Sequence, residues 1–155
     1  MSLLGGAGIQ DWYFYSLFSG CASLISAPRL PAKNIATQCY WAMFKDCTNL
    51  KTPPKLPATY VYTSCYNEMF KGCTSLTAAP YLPATNFTNY TDLVANYCYK
   101  EMFYGCSKLS SINVALTSWT GATNPTQNWV AGVAESGTFT KPSNLAATSG
   151  TSYIP

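Results

Sequence analysis

The sequence predicts an α/β solenoid of about four coils, each a short helix plus a short strand, closed by a C-terminal cap. Three observations carry this expectation. A nine-residue pattern recurs along the chain, two of its three intervals are equal, and a proline-bearing segment of constant form follows the first three copies. Units of this size can bury an apolar face only against one another, so their stacking sets the architecture before any single residue does.

The pattern reads Cys39-Tyr40-x-x-Met43-Phe44-x-Asp46-Cys47, then Cys65-Tyr66-x-x-Met69-Phe70-x-Gly72-Cys73, then Cys98-Tyr99-x-x-Met102-Phe103-x-Gly105-Cys106. A degraded copy, Tyr13-Phe14-x-x-Leu17-Phe18-x-Gly20-Cys21, precedes them. The interval is 26 residues from Cys21 to Cys47 and again to Cys73, then 33 to Cys106, so the last carries seven extra residues. Apolar residues at i, i+1, i+4, i+5 and i+8 fit one face of a helix, and the glycine before the last cysteine fits its stop. After each pattern come two residues, a polar pair in all copies but the first (Ala22-Ser23), and a leucine (Leu24, Leu50, Leu76, Leu109). The first three continue as Ala27-Pro28-Arg29-Leu30-Pro31-Ala32, Pro53-Pro54-Lys55-Leu56-Pro57-Ala58 and Ala79-Pro80-Tyr81-Leu82-Pro83-Ala84. Prolines keep such a segment out of a fully bonded central sheet but allow a very short strand. Residues 11 to about 116 are therefore expected to form a leucine-rich-repeat-type right-handed superhelix.

The full pattern, Cys-Tyr-x-x-Met-Phe-x-Gly-Cys-Thr-Ser-Leu-x-x-Ala-Pro-x-Leu-Pro-Ala-Thr, resembles the BspA-like, or Treponema-type, leucine-rich repeats abundant in surface proteins of gut Bacteroidetes. The resemblance covers all four copies, and Asn128 to Phe139 resembles the C-terminal cap that often follows them. Departures are Tyr13 for the first cysteine, Asp46 for glycine, Pro53 for the small residue before proline, and the loss of Pro-x-Leu-Pro after Leu109. The resemblance implies an extracellular or cell-surface protein associated with adhesion.

The expected organisation is a repeat region over 1–116, with an N-terminal cap repeat at about 11–34, and a capping segment over 117–155. In the latter, Pro125-Thr126 is expected to start a short helix carrying Trp129, Val130, Val133 and Ala134 and ending at Gly137, followed by a strand at 137–140. Its tryptophans are expected to seal the core.

The cysteines invite a chemical reading, which their spacing opposes. They recur eight residues apart, the chain has no histidine, and a zinc site needs close pairs converging on one point. Within one helix, Cys65 and Cys73 would lie about 12 Å apart, beyond disulfide reach. Reduced, buried columns are the expectation, one of Cys21, Cys47, Cys73 and Cys106 and one of Cys39, Cys65 and Cys98.

Catalysis finds no support. A cysteine nucleophile lacks a histidine base. Glu68 and Glu101 share one repeat position, which points to a solvated face rather than a facing pair. Gly5-Gly6-Ala7-Gly8 lacks the lysine of a phosphate loop. No enzyme activity, cofactor or metal is expected. A net charge of +3 gives no reason to expect nucleic acid, and no stretch approaches a membrane span. Met1 to Gln10 shows no basic region followed by a long apolar run, so no signal peptide is read there. Charged residues make up only 10% of the chain, against a usual ~25%, so Ser, Thr, Asn and Tyr must dress the surface.

The positions that vary while their neighbours stay fixed are the expected binding surface. Arg29, Lys55 and Tyr81 share one such position, and Ile25, Lys51 and Thr77 share another. At a coil spacing of about 4.8 Å, Arg29, Lys51, Lys55 and Tyr81 would form a cationic-aromatic strip suited to acidic groups or sugar faces. Tyr15, Trp41, Asn67 and Lys100 share a third position, and Tyr15 beside Trp41 would make an apolar patch. Asn89, Tyr90 and Asp92 lie in the insertion, where binding loops often sit. Solvated decoration explains each column too, since scattered exposed apolar residues are normal. The expected function is a non-enzymatic binding or adhesion module, a monomer meeting a protein or glycan. A structural or receptor-recognition component of a phage particle, or an accessory domain of a carbohydrate-active enzyme, are the alternatives.

Overall fold

In the computed structural model, which describes residues 9–89, 91 and 93–155, each nine-residue pattern is a run of consecutive β-turns. The expected α/β, leucine-rich-repeat-type right-handed superhelix of helix-plus-strand coils does not form. Among the described residues there is no helix, and regular strand is confined to β1 (Ser111–Asn113) and β2 (Thr138–Thr140). The short helix expected from Pro125 to Gly137 is likewise absent among them, whereas β2 stands where the strand was expected.

The hydrogen bonds explain the difference. In a helix every N–H reaches the carbonyl four residues back. Here alternate N–H groups reach only three back: Cys39 to Ala36 (3.4 Å), Trp41 to Gln38 (3.3 Å), Met43 to Tyr40 (3.2 Å) and Cys47 to Phe44 (3.1 Å). The intervening N–H groups leave the coil for the next one: Tyr40 to the Cys65 carbonyl (3.0 Å), Ala42 to Asn67 (2.8 Å) and Phe44 to Met69 (2.9 Å). Even-numbered carbonyls of this segment thus accept locally, and odd-numbered ones accept from the coil before. Every backbone group in the run finds a partner without a helix, as buried backbone requires.

Every second turn has a residue of positive φ at its third position, the mark of type II. These recur every four residues: Gln38, Ala42 and Asp46 in one coil, Ser64, Glu68 and Gly72 in the next, Tyr97, Glu101 and Gly105 after that. The glycines that looked like helix stops are the last members of these sets. A side-chain-bearing residue held left-handed costs about 1–2 kcal/mol. Two ladders of interactions between coils offset it. One is the backbone ladder. The other is a pair of ring columns, Phe14–Tyr40–Tyr66–Tyr99 and Phe18–Phe44–Phe70–Phe103, with centroids 5.6–5.9 Å apart and planes within 10° of parallel. Helices packed side by side sit about 8–10 Å apart, too far for either ladder.

The ladder extends further than the cysteine pattern. Phe103 donates to the Trp129 carbonyl (2.8 Å) and Gly105 to Ala131 (2.8 Å), and positive φ recurs at Asn124, Asn128 and Gly132. Residues 123–132 are thus a fifth run of turns. Trp129, fully buried, closes both ring columns, and its Nε1 donates to the Tyr153 carbonyl (2.7 Å). Trp119 is buried beside it and donates to the Ala146 carbonyl (2.8 Å).

The seven extra residues do not disturb the ladder. Thr88 and Val94 form an antiparallel bridge, and Tyr66 still reaches the Cys98 carbonyl (3.0 Å). Beyond each run, the chain turns and extends. The extended segments line up in parallel through bridges Ser26–Thr52, Ala78–Ser111 and Leu82–Val114, ending in β1 beside β2 with Ile112 opposite Phe139. Among the described residues no helix is long and apolar enough to cross a membrane.

Candidate functional site

The thiols are packing groups. Cys39, Cys47, Cys65, Cys73, Cys98 and Cys106 are buried and unbridged. Cys47, Cys73 and Cys106 donate Sγ–H to the carbonyls of Phe18, Phe44 and Phe70 in the preceding coil at 3.0–3.1 Å. Each of those carbonyls also accepts a local N–H, from Cys21, Cys47 and Cys73 respectively, so both lone pairs are used. Burial pushes the Cys39 and Cys106 thiols up to about 12 and Cys47 to about 11, and raises Cys65, Cys73 and Cys98 as well. A thiol held protonated is a poor nucleophile and a poor metal ligand. Cys21 departs from the expected buried column: it is exposed, because no earlier coil among the described residues covers it.

Four charged residues of the turn runs pair with one another across coils. Lys45 meets Glu68 at 2.8 Å, and Lys71 meets Glu101 at 2.6 Å and Glu68 at 3.9 Å. The hydrogen bond to Glu101 raises the Lys71 ammonium above its ordinary value. Glu68 and Glu101 do share one repeat position, and Lys45 and Lys71, which share another, pair with them from the preceding coil.

The proline segments differ. Leu30, Leu56 and Leu82 point into the core, which turns Arg29, Lys55 and Tyr81 outward by the two-residue alternation of extended chain. Ala27 and Ala79 donate N–H to the carbonyls of Thr52 (2.9 Å) and Ser111 (2.8 Å) in the next coil. Pro53 holds the equivalent place between them and has no N–H to give. A groove of about 520 Å3 opens there, lined by Pro53, Pro54, Lys55, Pro57, Pro80, Tyr81 and their neighbours. A second, of about 480 Å3, lies between the first two segments and adds Arg29 and Lys33. The two share Pro53, Pro54, Lys55 and Pro57, so they form one trough across three coils. Both volumes suit a small ligand or a short stretch of polymer. No acidic residue lines either groove, and among the described residues no ion pair involves Arg29, Lys33 or Lys55.

Three of the four residues expected in the strip therefore meet on one surface. Lys51 is exposed but does not line the trough. Lys33 does line it and was missed, although its repeat position also varies, to Thr59 and Thr85. The second expected patch forms and is larger than expected: Tyr15 and Trp41 pack edge-on at 5.5 Å, and Trp12, 52% exposed, stacks on Trp41 at 5.7 Å. Asn67, of the same column, is buried. Lys100 lies over the Tyr97 ring. Tyr90 and Asp92 lie outside the described residues. Asn89 is a structural residue: its buried Oδ1 accepts from Thr91 N, Thr91 Oγ1 and Leu93 N at 2.7–3.1 Å, an Asx turn that Asn86 repeats with Thr88.

Comparison with protein-family models, curated proteins and solved structures finds no match to this chain, so the resemblance to BspA-like repeats rests on the repeat residues alone.

Proposed function

We propose that this protein is a non-enzymatic binding module whose repeat stack holds the proline trough as a rigid surface for a protein or glycan partner. The observation that carries the reading is an asymmetry of charge. Lys45 and Lys71 on the turn runs are paired with carboxylates and Lys100 lies over the Tyr97 ring, whereas Arg29, Lys33 and Lys55 line a groove that contains no acid. Unpaired cations beside an exposed aromatic ring cost little in water and are available to a partner. The buried, protonated thiols and the lack of histidine leave the chain without an evident nucleophile–base pair. Adhesion at a cell surface, which the repeat resemblance implies, is one use of such a module.

The test is capture on arrays of purified glycans and matrix proteins by wild type and by an Arg29→Ala/Lys55→Ala/Tyr81→Ala variant. Wild type should be captured by a defined subset, and the variant should lose that capture at an unchanged melting temperature. Capture that survives the triple change, or a variant that loses stability as much as binding, would remove the trough from the account.

A further inference from the structure

We infer that the trough takes a carboxylate-bearing polysaccharide, its acid groups on Arg29, Lys33 and Lys55 and a sugar face on Tyr81. This inference rests on the binding-module reading and adds to it the class of ligand.

Charge sets the first requirement. Arg29, Lys33 and Lys55 line the trough with no carboxylate among its lining residues, so an anionic partner gains attraction and displaces no existing ion pair. Arg29 can grip a planar carboxylate through two parallel N–H bonds, whereas Lys33 and Lys55 act as mobile point charges.

Spacing sets the second. Arg29 and Lys55 hold the same position in successive segments, three residues beyond the Ser26–Thr52 bridge, so their anchor points are one coil apart, a step of about 4.8 Å where extended chains pair. That step is close to the length of one sugar unit in a chain. A polymer carrying an acid on each unit can therefore meet successive cations without bending.

The walls set the third, and they decide between a polysaccharide and an acidic peptide. An extended peptide docks on such a face by pairing its backbone with N–H and C=O groups of an exposed edge. Pro53, Pro54, Pro57, Pro80 and Pro83 supply no N–H, so a peptide laid in the trough would gain no backbone hydrogen bonds from these residues. A sugar chain makes no such demand. Its hydroxyls stay in water on the open side, and its C–H face can lie on the electron-rich face of Tyr81, which is 52% exposed.

Isothermal titration of the whole chain with a galacturonic acid hexamer tests this, with its methyl ester and poly-L-glutamate as comparisons. The acid hexamer should bind, the uncharged ester about tenfold or more weaker, and Arg29→Gln/Lys55→Gln should reduce the acid to the level of the ester. Tyr81→Ala should weaken acid and ester by a similar factor. Equal binding of acid and ester would overturn the role of charge. Poly-L-glutamate binding more tightly than the hexamer, and lost in the same variant, would overturn the polysaccharide and leave the binding module standing. No binding of the hexamer at millimolar concentration also overturns the inference. If the arrays are blank as well, the binding-module reading fails with it.

Discussion

The turn runs and the proline segments of one coil solve the same problem in different ways. Both must pair a backbone with the coil beside it. The turn runs do so completely: alternate N–H groups close turns, the rest cross to the next coil, and lysine, glutamate and cysteine side chains follow them across. The proline segments do so in part. Where Ala27 and Ala79 cross, Pro53 does not, and a groove lined by Lys55 and Tyr81 opens at that gap. Stability is concentrated in the first and free surface in the second. The proposed binding surface lies where pairing is incomplete.

Alkaline pH should separate the two regions most strongly, because the buried thiols belong to the turn runs. Their folded values lie above the ordinary 9.0. Below pH ~8 both folded and unfolded chains keep these protons, and the thiols leave stability independent of pH. Above it the unfolded chain loses protons that the folded chain retains, so stability falls as pH rises. Each thiol contributes up to about 1.4 kcal/mol per pH unit. Six together exhaust a typical stability of about 5–15 kcal/mol within roughly one to two units. Urea midpoints measured in reductant should hold steady from pH 7 to about 8, fall measurably by about pH 9 and collapse by about pH 11. A midpoint still flat at pH 11 would place the thiols in contact with water.

Single truncations sharpen the contrast at smaller scale. Phe70 is fully buried in the middle of its ring column, so Phe70→Ala should cost about 3–5 kcal/mol. Tyr81→Ala removes an exposed ring and should change stability by no more than about 0.5 kcal/mol. Thermal or urea unfolding reads both. Similar losses would mean that the proline segment carries as much of the structure as the turns do.

The buried positions and the candidate strip were legible because both repeat. Tyr40, Phe44 and Cys47 are core residues in every copy that has neighbours on both sides, and Arg29, Lys55 and Tyr81 mark where the repeat is free to vary. The conformation of the run was not legible. At about 100° per residue, positions i, i+1, i+4, i+5 and i+8 span an arc of about 140°, so a helix accommodates them as well as a four-residue turn does. A longer run would have drifted off a helical face; nine residues do not. Gln38, Ala42 and Glu68 give no sign in sequence of a left-handed backbone, and only the glycines at 20, 72 and 105 hinted at it. The fifth run hid for another reason. Pro125, Thr126, Trp129 and Val130 stand where Cys98, Tyr99, Met102 and Phe103 stood one coil earlier, so spacing survived while identity did not. Trp12 joined its patch through the ring of Trp41 on the next coil, a contact that depends on how coils stack.

Scalar coupling across hydrogen bonds, read by NMR at the Phe70 amide, tests the central claim most directly. The turn ladder predicts coupling from the Phe70 N–H to the Met102 carbonyl, 2.9 Å away in the next coil. Coupling from the Phe70 N–H to the Tyr66 carbonyl, four residues back, would restore the helix and contradict the ladder.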